Sequence, residues 1–285
     1  MSDFVIFTDS SADLPEELVK QYAVPVVWLR LFVENEEKDP TLGGKPFYDL
    51  LRDKKVATTS APNIEDYVSV MEPLLKDGKD LLYIAFSSGL SSACHTGTLA
   101  AEELQEKYPD RKIKVVDTLA ASFGQGLLVL HALQKQKEGL SIDETTAWLE
   151  ENKLHLCHWF TVDDLMYLKR GGRVSAATAV VGTMLAVKPV MHMDNEGHLI
   201  PVSKARGRKA ALTALFDKAK ETAINPETQT MTISHGDCEE DALFLADKLK
   251  TELGVPEVLL TNVGTVIGAH SGPGTVALFF LGTER

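Results

Sequence analysis

Phe4-Val5-Ile6-Phe7 runs into Thr8-Asp9-Ser10-Ser11, and Asp13-Leu14-Pro15-Glu16-Glu17 follows. Four consecutive apolar residues read as a buried strand and the hydroxyl-rich tetrapeptide as a loop. Asp13 before Pro15, with two glutamates behind it, is the acidic first turn that a helix N-terminus favours. The same order then recurs. Apolar runs at Val24–Val33, Leu81–Phe86 and Ile113–Val116 alternate with helical patterns. Asn63 opens one such helix through Lys76, and Ser92 opens another to about Tyr108, before Pro109. Ser141 opens a third to about Lys153, with Glu144 completing a capping box. Strands alternating with helices imply crossover connections around a parallel sheet.

Beyond residue 155 the pattern changes. Leu154–Val162 and Lys188–Met193 read as strands, and Asp194-Asn195-Glu196-Gly197 is a turn leading into His198–Ser203, so a hairpin brings in an antiparallel component. Ala210–Ala223 and Glu239–Leu253 read as helices, Gln229–Ser234 and Thr275–Leu281 as strands. The expected fold class is α/β: a parallel-sheet N-terminal domain over residues 1–154 and an α+β C-terminal domain over residues 155–285 with a mixed or antiparallel sheet. No linker separates them, so the ligand is expected between the two.

The chain of 285 residues suits about two domains. Its 44% hydrophobic and 25% charged residues are those of an ordinary globular protein. A formal charge of −12 repels phosphate backbones and anionic headgroups, which argues against nucleic-acid and membrane-surface partners. The longest apolar stretch, Ala176–Val187, falls short of the ~20 residues of a membrane span, so no stable membrane insertion is expected. The N-terminus enters a strand without the basic and apolar regions of a signal peptide, which predicts a cytoplasmic protein. Cys94, Cys157 and Cys238 lie far apart and read as buried small hydrophobes. No metal spacing, nucleophile elbow or P-loop is present. Gly43-Gly44-Lys45 continues into Pro46, so neither a metal nor a cofactor is expected.

Four loops are rich in hydroxyls: Thr8–Ser11, Thr58–Pro62, Phe86–Ser92, and Asp117–Thr118 with Ala121–Ser122. Each alone reads as caps and turns; together they suit a carboxylate or phosphate held by hydroxyls and backbone N–H groups without a buried lysine. Gly264–Gly274 places His270 among four glycines and a proline, either as a satisfied turn histidine or as one brought against a ligand. His155 and His158 bracket Cys157 in a strand-like run and read as satisfied or exposed side chains. Gly124-Gln125-Gly126 opens an apolar helix and reads as close helix–sheet packing.

Several motifs, taken in order, resemble the DegV family along the whole chain. They are Thr8–Leu14, Thr59-Ser60-x-Pro62, Ser87-Ser88-Gly89-Leu90-Ser91, Tyr167–Ser175, Lys204–Lys209 and Ile267-Gly268-x-His270-x-Gly272-Pro273-Gly274. The resemblance implies two domains with one long-chain fatty acid bound between them. It also implies a binding subunit with no ATP site of its own and no catalytic residue, which presents the carboxylate to a separate ATP-dependent fatty acid kinase and holds the acyl phosphate. The positions matching the family's carboxylate contacts are Thr59 with Ser60 beside it, Ser91 with Ser92, and His270. Where the family commonly has Leu-Ser-Gly-Thr and Thr-Ser-Gln-Pro, this chain has Leu90-Ser91-Ser92-Ala93 and Thr59-Ser60-Ala61-Pro62.

Ala176–Val187 is apolar or small on every face, either a buried helix or one wall of a tunnel, and Val180, Met184 and Leu185 are its expected lining. Burying roughly fifteen methylenes at ~0.8 kcal/mol each would supply ~12 kcal/mol before association costs. Lys204, Arg206 and Arg208 form a basic cluster on an acidic chain, suited either to a phosphate or kinase-docking role or to a solvated helix start. A dihydroxyacetone-kinase-like enzyme, with His270 engaging a small carbonyl compound, is the alternative reading. A purely regulatory lipid binder is a third.

Overall fold

β1 (Phe4–Asp9) has a parallel neighbour on either side: β2 (Val26–Val27), where Thr8 faces Val26, and β6 (Asp80–Ala85), where Phe4 faces Asp80. β7 (Ile113–Asp117) completes the sheet in the order β2-β1-β6-β7 of the computed structural model, which describes residues 4–175 and 187–285. Alternate residues of these strands go to opposite faces. Ile6, Leu82, Ile84 and Val116 pack with Leu127 and Leu128 of α5 (Phe123–Lys137) and with Ile142 and Leu149 of α6 (Ile142–Asn152). Phe7, Leu81, Tyr83 and Ala85 pack with Tyr67 and Met71 of α3 (Ile64–Lys76) and with Ala100 and Leu104 of α4 (Ala93–Lys107). The capping boxes that start α3 and α6 are formed, by Asn63 with Asp66 and by Ser141 with Glu144.

The second sheet has the order β10 (Leu199–Arg206), β9 (Val187–Met193), β8 (Leu156–Thr161), β13 (Val276–Leu281), β11 (Thr230–His235), β12 (Glu257–Asn262). Only its β11–β12 pair is parallel. The α/β class, with a parallel sheet first and a mixed sheet second, is as expected. Asp194 Oδ1 accepts from the N–H groups of Glu196 and His198 in the turn joining β9 to β10. One face of this sheet is covered by α8 (Arg208–Thr222) and α9 (Glu239–Leu253), through Leu212, Leu215, Leu245 and Leu249.

α5 fills the space between the two sheets. Its residues Phe123–Val129 are buried, and Leu127 and Leu128 share one core with Phe160, Met191 and Phe279. A Cβ on Gly124 would stand 2.6 Å from the Phe279 ring, and one on Gly126 2.6 Å from the Ala12 carbonyl, so Gly124 sets the close approach of α5 to the second sheet and Gly126 its approach to the turn after β1. The two units therefore share one hydrophobic core.

Several details differ from the sequence expectations. Val24–Val33 is not one strand: it divides into β2 and β3 (Arg30–Val33), and β3 belongs to a separate antiparallel sheet with β4 (Glu36–Lys38) and β5 (Ala57–Ser60). Glu34 and Asn35 both have positive φ, 52° and 66°, the geometry of a two-residue hairpin loop. Thr58–Ser60, read as loop, thus lies in a strand. α2 (Gly44–Arg52) and β12 were not anticipated. α7 (Met166–Arg170) ends at Gly171, as the glycines there suggest. The Gly264–Gly274 segment contains a helix, α10 (Thr265–Ser271), because only Gly272 and Gly274 of its glycines take positive φ. Lys204 and Arg206 end a strand instead of starting a helix. Among the described residues no helix is long and apolar enough to cross a membrane.

Candidate functional site

A cavity of about 340 Å³ opens where the three sheets meet. Thr59 and Ser60 of β5 line it beside Ser91 and Ser92 before α4, and His270 of α10 completes that end. All five residues matched to carboxylate contacts are thus brought to one cavity. The rest of its wall is mostly apolar, including Leu29, Phe86, Leu90, Phe160, Leu199, Val266 and Ala277. Val180, Met184 and Leu185, expected to line the tunnel, lie outside the described residues.

Thr59 is held at the rim by the β3–β5 ladder, opposite Leu31. Its Oγ1 lies 2.7 Å from His270 Nε2. Burial, and then the neighbouring Arg173 and Arg170, push the His270 imidazole down to about 4, so the ring is neutral near pH 7. Nδ1 of His270 is buried without a partner among the described residues. A buried N–H without an acceptor is rarer than an idle acceptor, which places the ring proton on Nε2, donating to Thr59. The threonine proton is then available to an anion in the cavity.

Ser91 is fixed by its own turn. Its N–H donates to the Ser87 carbonyl (3.2 Å), and its Oγ accepts from the Ala93 N–H (3.1 Å), which leaves the hydroxyl proton to donate elsewhere. Ser87 Oγ donates to the Gly197 carbonyl (2.9 Å), and a Cβ on Gly89 would stand 2.7 Å from the Glu196 and Gly197 carbonyls. The turn between β9 and β10 thus braces this serine loop from the second sheet. Ser60 Oγ donates to the Ala61 carbonyl (3.2 Å), and Ser92 caps α4 without a side-chain hydrogen bond.

Arg173 is the residue that the sequence reading did not single out. It follows the α7 stop, with Gly172 at φ 73°, and turns into the cavity wall. Its Nε donates to the Leu90 carbonyl (3.2 Å) and its Nη1 to the Gly171 carbonyl. Burial lowers its pKa from the ordinary value, yet a guanidinium stays charged, and two anchored donors leave others for an anion. The sequence signal was the basic run Lys169–Arg173, whose first members belong to the end of α7.

The Thr8–Ser11 loop does not line this cavity, while the loop after β7 contributes Ala121 and Ser122 to its wall. Asp9 is fully buried and accepts from Ser11 N–H (3.1 Å), Ser11 Oγ, Tyr83 Oη (2.7 Å) and Phe86 N–H (3.0 Å), so it fixes the base of the Phe86–Ser92 loop. Asp117 Oδ1 accepts from Ser88 and Leu119 N–H groups, and Thr118 Oγ1 donates to Ala85 carbonyl. Ser122 lies deeper, at φ 54°. Its Oγ donates to Asp13 and meets Ser234 Oγ at 2.8 Å across the junction of the two sheets. Burial raises the Asp13 carboxyl to about 7, above the opposing effect of its hydrogen bond with Ser122. Of the two strand histidines, His155 meets the Gly282 carbonyl through Nδ1, while His158 lines the cavity. Lys204 and Arg206 are exposed on β10 and do not line it. Arg208 is ion-paired with Asp241 (2.9 Å) and lies 3.6 Å from Asp163. Among the described residues no group of histidine, cysteine or carboxylate side chains is arranged to hold a metal.

A parallel and a mixed sheet around a shared helix, with a mostly apolar cavity carrying a cluster of hydroxyls and a histidine, define an α/β protein with an internal cavity. The chain belongs to the DegV family, whose model, that of an uncharacterised protein family, matches residues 3–283. A DegV domain-containing protein of Clostridium perfringens is 46% identical over 289 residues, covering 100% of this chain and 99% of its own. A fatty-acid-binding DegV family protein from Thermus thermophilus superposes with a TM-score of 0.84 at 31% identity, over 97% of this chain and 98% of its own. A DegV lipid-binding protein from Thermotoga maritima does so with a TM-score of 0.84 at 30% identity, over 100% of both chains.

Proposed function

We propose that this protein binds one long-chain fatty acid. Thr59, Ser60, Ser91, Ser92, His270 and Arg173 surround the carboxylate, and the acyl chain runs along the cavity wall formed by Phe160, Leu168, Leu199 and Ala277. The observation that carries the reading is the Thr59 Oγ1–His270 Nε2 contact of 2.7 Å beside Ser60, Ser91 and Ser92 in a cavity whose remaining wall is mostly apolar. A volume of about 340 Å³ lies within the roughly 300–1,000 Å³ of small-molecule sites. The relatives from Thermus thermophilus and Thermotoga maritima support it by what they bind.

Beyond binding, the protein acts in the cytoplasm as a subunit without its own ATP site. It offers the carboxylate to a separate ATP-dependent kinase and retains the acyl phosphate, with Lys204 and Arg206 exposed for phosphate or kinase docking. The two units divide at residues 154 and 155, between α6 and β8. A small carbonyl substrate fits less well, since Nε2 of His270 is already engaged by Thr59. Mass spectrometry of an organic extract of the purified, denatured protein tests the reading. A stoichiometric acyl chain is expected. Its absence, even after incubation with oleate or palmitate, removes the proposal.

A further inference from the structure

Deep in the cavity wall, a polar atom has nothing to bind. His158 of β8 is 4% exposed and lines the cavity, and its Nδ1 is buried without a hydrogen-bond partner among the described residues. The ring lies among aromatic neighbours, with centroids 4.6 Å from Phe279 and 5.7 Å from Phe160. Burial, followed by the nearby Arg285 and His192, holds the imidazole well below its ordinary pKa, so it is neutral.

Strand register fixes how deep this atom lies. β13 follows the His270 segment, and Thr275 Oγ1 donates to the Ser271 carbonyl (3.1 Å), beside the polar end. Along β13, Ala277 then faces Phe160 and Phe279 faces His158. Thr275, Ala277, Phe160 and His158 all line the cavity. The four steps from Thr275 to Phe279 span roughly 13 Å, so His158 stands beside the middle of a long acyl chain whose carboxylate is at His270.

A plain hydrocarbon leaves this imidazole unpaired, and an unpaired buried polar atom opposes binding. We propose that the cavity accepts a fatty acid carrying a hydroxyl group near mid-chain, with His158 as the hydroxyl's partner. A neutral imidazole has one donor and one acceptor nitrogen, and a hydroxyl both donates and accepts, so either tautomer is satisfied. A second carboxylate matches less well. Arg285, the neighbouring cation, donates to the Leu119 carbonyl and is not among the residues lining the cavity.

This inference rests on the acyl site proposed above. Oleate and ricinoleate differ by one mid-chain hydroxyl, and their affinities for delipidated protein are measured by competition with a fluorescent fatty acid. The wild type is expected to bind ricinoleate about two- to tenfold more tightly than oleate, the worth of one net hydrogen bond. His158→Phe is expected to reverse the order, with its fold checked by thermal unfolding. His158→Asn serves if phenylalanine is not tolerated, and is expected to weaken the preference. Equal or weaker wild-type binding of ricinoleate overturns the inference while leaving the acyl site standing, as does a preference that survives a folded His158 variant. Failure to bind either lipid removes the acyl site itself and this inference with it.

Discussion

The ring of His270 passes directly over Gly171: a Cβ on Gly171 would overlap Nδ1. The two residues come from α10 and from the stop of α7, and the glycine is what allows the imidazole to reach Thr59. Gly171 itself has φ −71° and ψ −10°, a conformation open to alanine, so its role is space and not backbone freedom.

Gly171→Ala is therefore expected to displace His270 without unfolding the chain. Fatty-acid affinity should fall by about 1–3 kcal/mol, much as in His270→Ala, because the head-group hydrogen bonds are lost while the apolar contribution remains. Gly172→Ala is the control: none of the described residues lies within 4 Å of its Cβ, and φ 73° adds only ~1 kcal/mol of strain. Isothermal titration of both variants decides it, and equal affinities for the two would show that Gly171 does not position His270.

Asp13 makes stability depend on pH. Its carboxyl ionises at about 7 in the folded protein against 3.8 ordinarily, so between those values the folded state binds more protons than the unfolded state. Stability from this residue is complete below about pH 4 and is lost as pH rises through 7, by up to ~4 kcal/mol. The depressed values of His131, His192 and His270, each about 4, act in the opposite direction over a similar range. The difference between wild type and Asp13→Asn isolates the aspartate. Thermal unfolding at pH 5 and pH 8 should show Tm falling more in wild type than in the variant, and parallel pH profiles would refute the assignment.

Arg206 and Arg208 are two residues apart and should behave differently. Arg206→Ala is expected to leave Tm and lipid content unchanged but weaken acyl phosphate formation with a partner kinase, increasingly so as salt is lowered from a concentration that already screens the contact. Arg208→Ala is expected to destabilise the fold by about 1–2 kcal/mol, because it removes the ion pair that ties the start of α8 to Asp241. Unfolding curves and a coupled phosphorylation assay separate the two, and a stability loss in Arg206→Ala would contradict the division.

Short-range patterns made much of the fold legible. The β1–loop–α1 unit (α1, Glu16–Tyr22), the box at Ser141 and Glu144 and the Asp194–Gly197 turn each depend on residues close in the chain. The motifs carrying the family resemblance likewise located Thr59, Ser91 and His270. The small β3–β4–β5 sheet escaped notice because its turn, Glu34-Asn35, contains no glycine, and its last strand is made of threonine and serine. Hydroxyl-rich loops were grouped by composition, which cannot tell the buried anchor Asp9 from the cavity-lining Ser91.

From its sequence alone, this protein's α/β order and helix starts were determined, because backbone sterics and capping act over a few residues, and its family motifs named the hydroxyls and histidine that line the cavity. Tertiary packing decided which of those groups meet. Thr59 and His270 touch across 211 positions, Arg173 turns into the cavity after a helix ends, and His158 faces it by strand register. Such pairings are set by how the three sheets and the segments between them pack together, and no local pattern encodes that geometry.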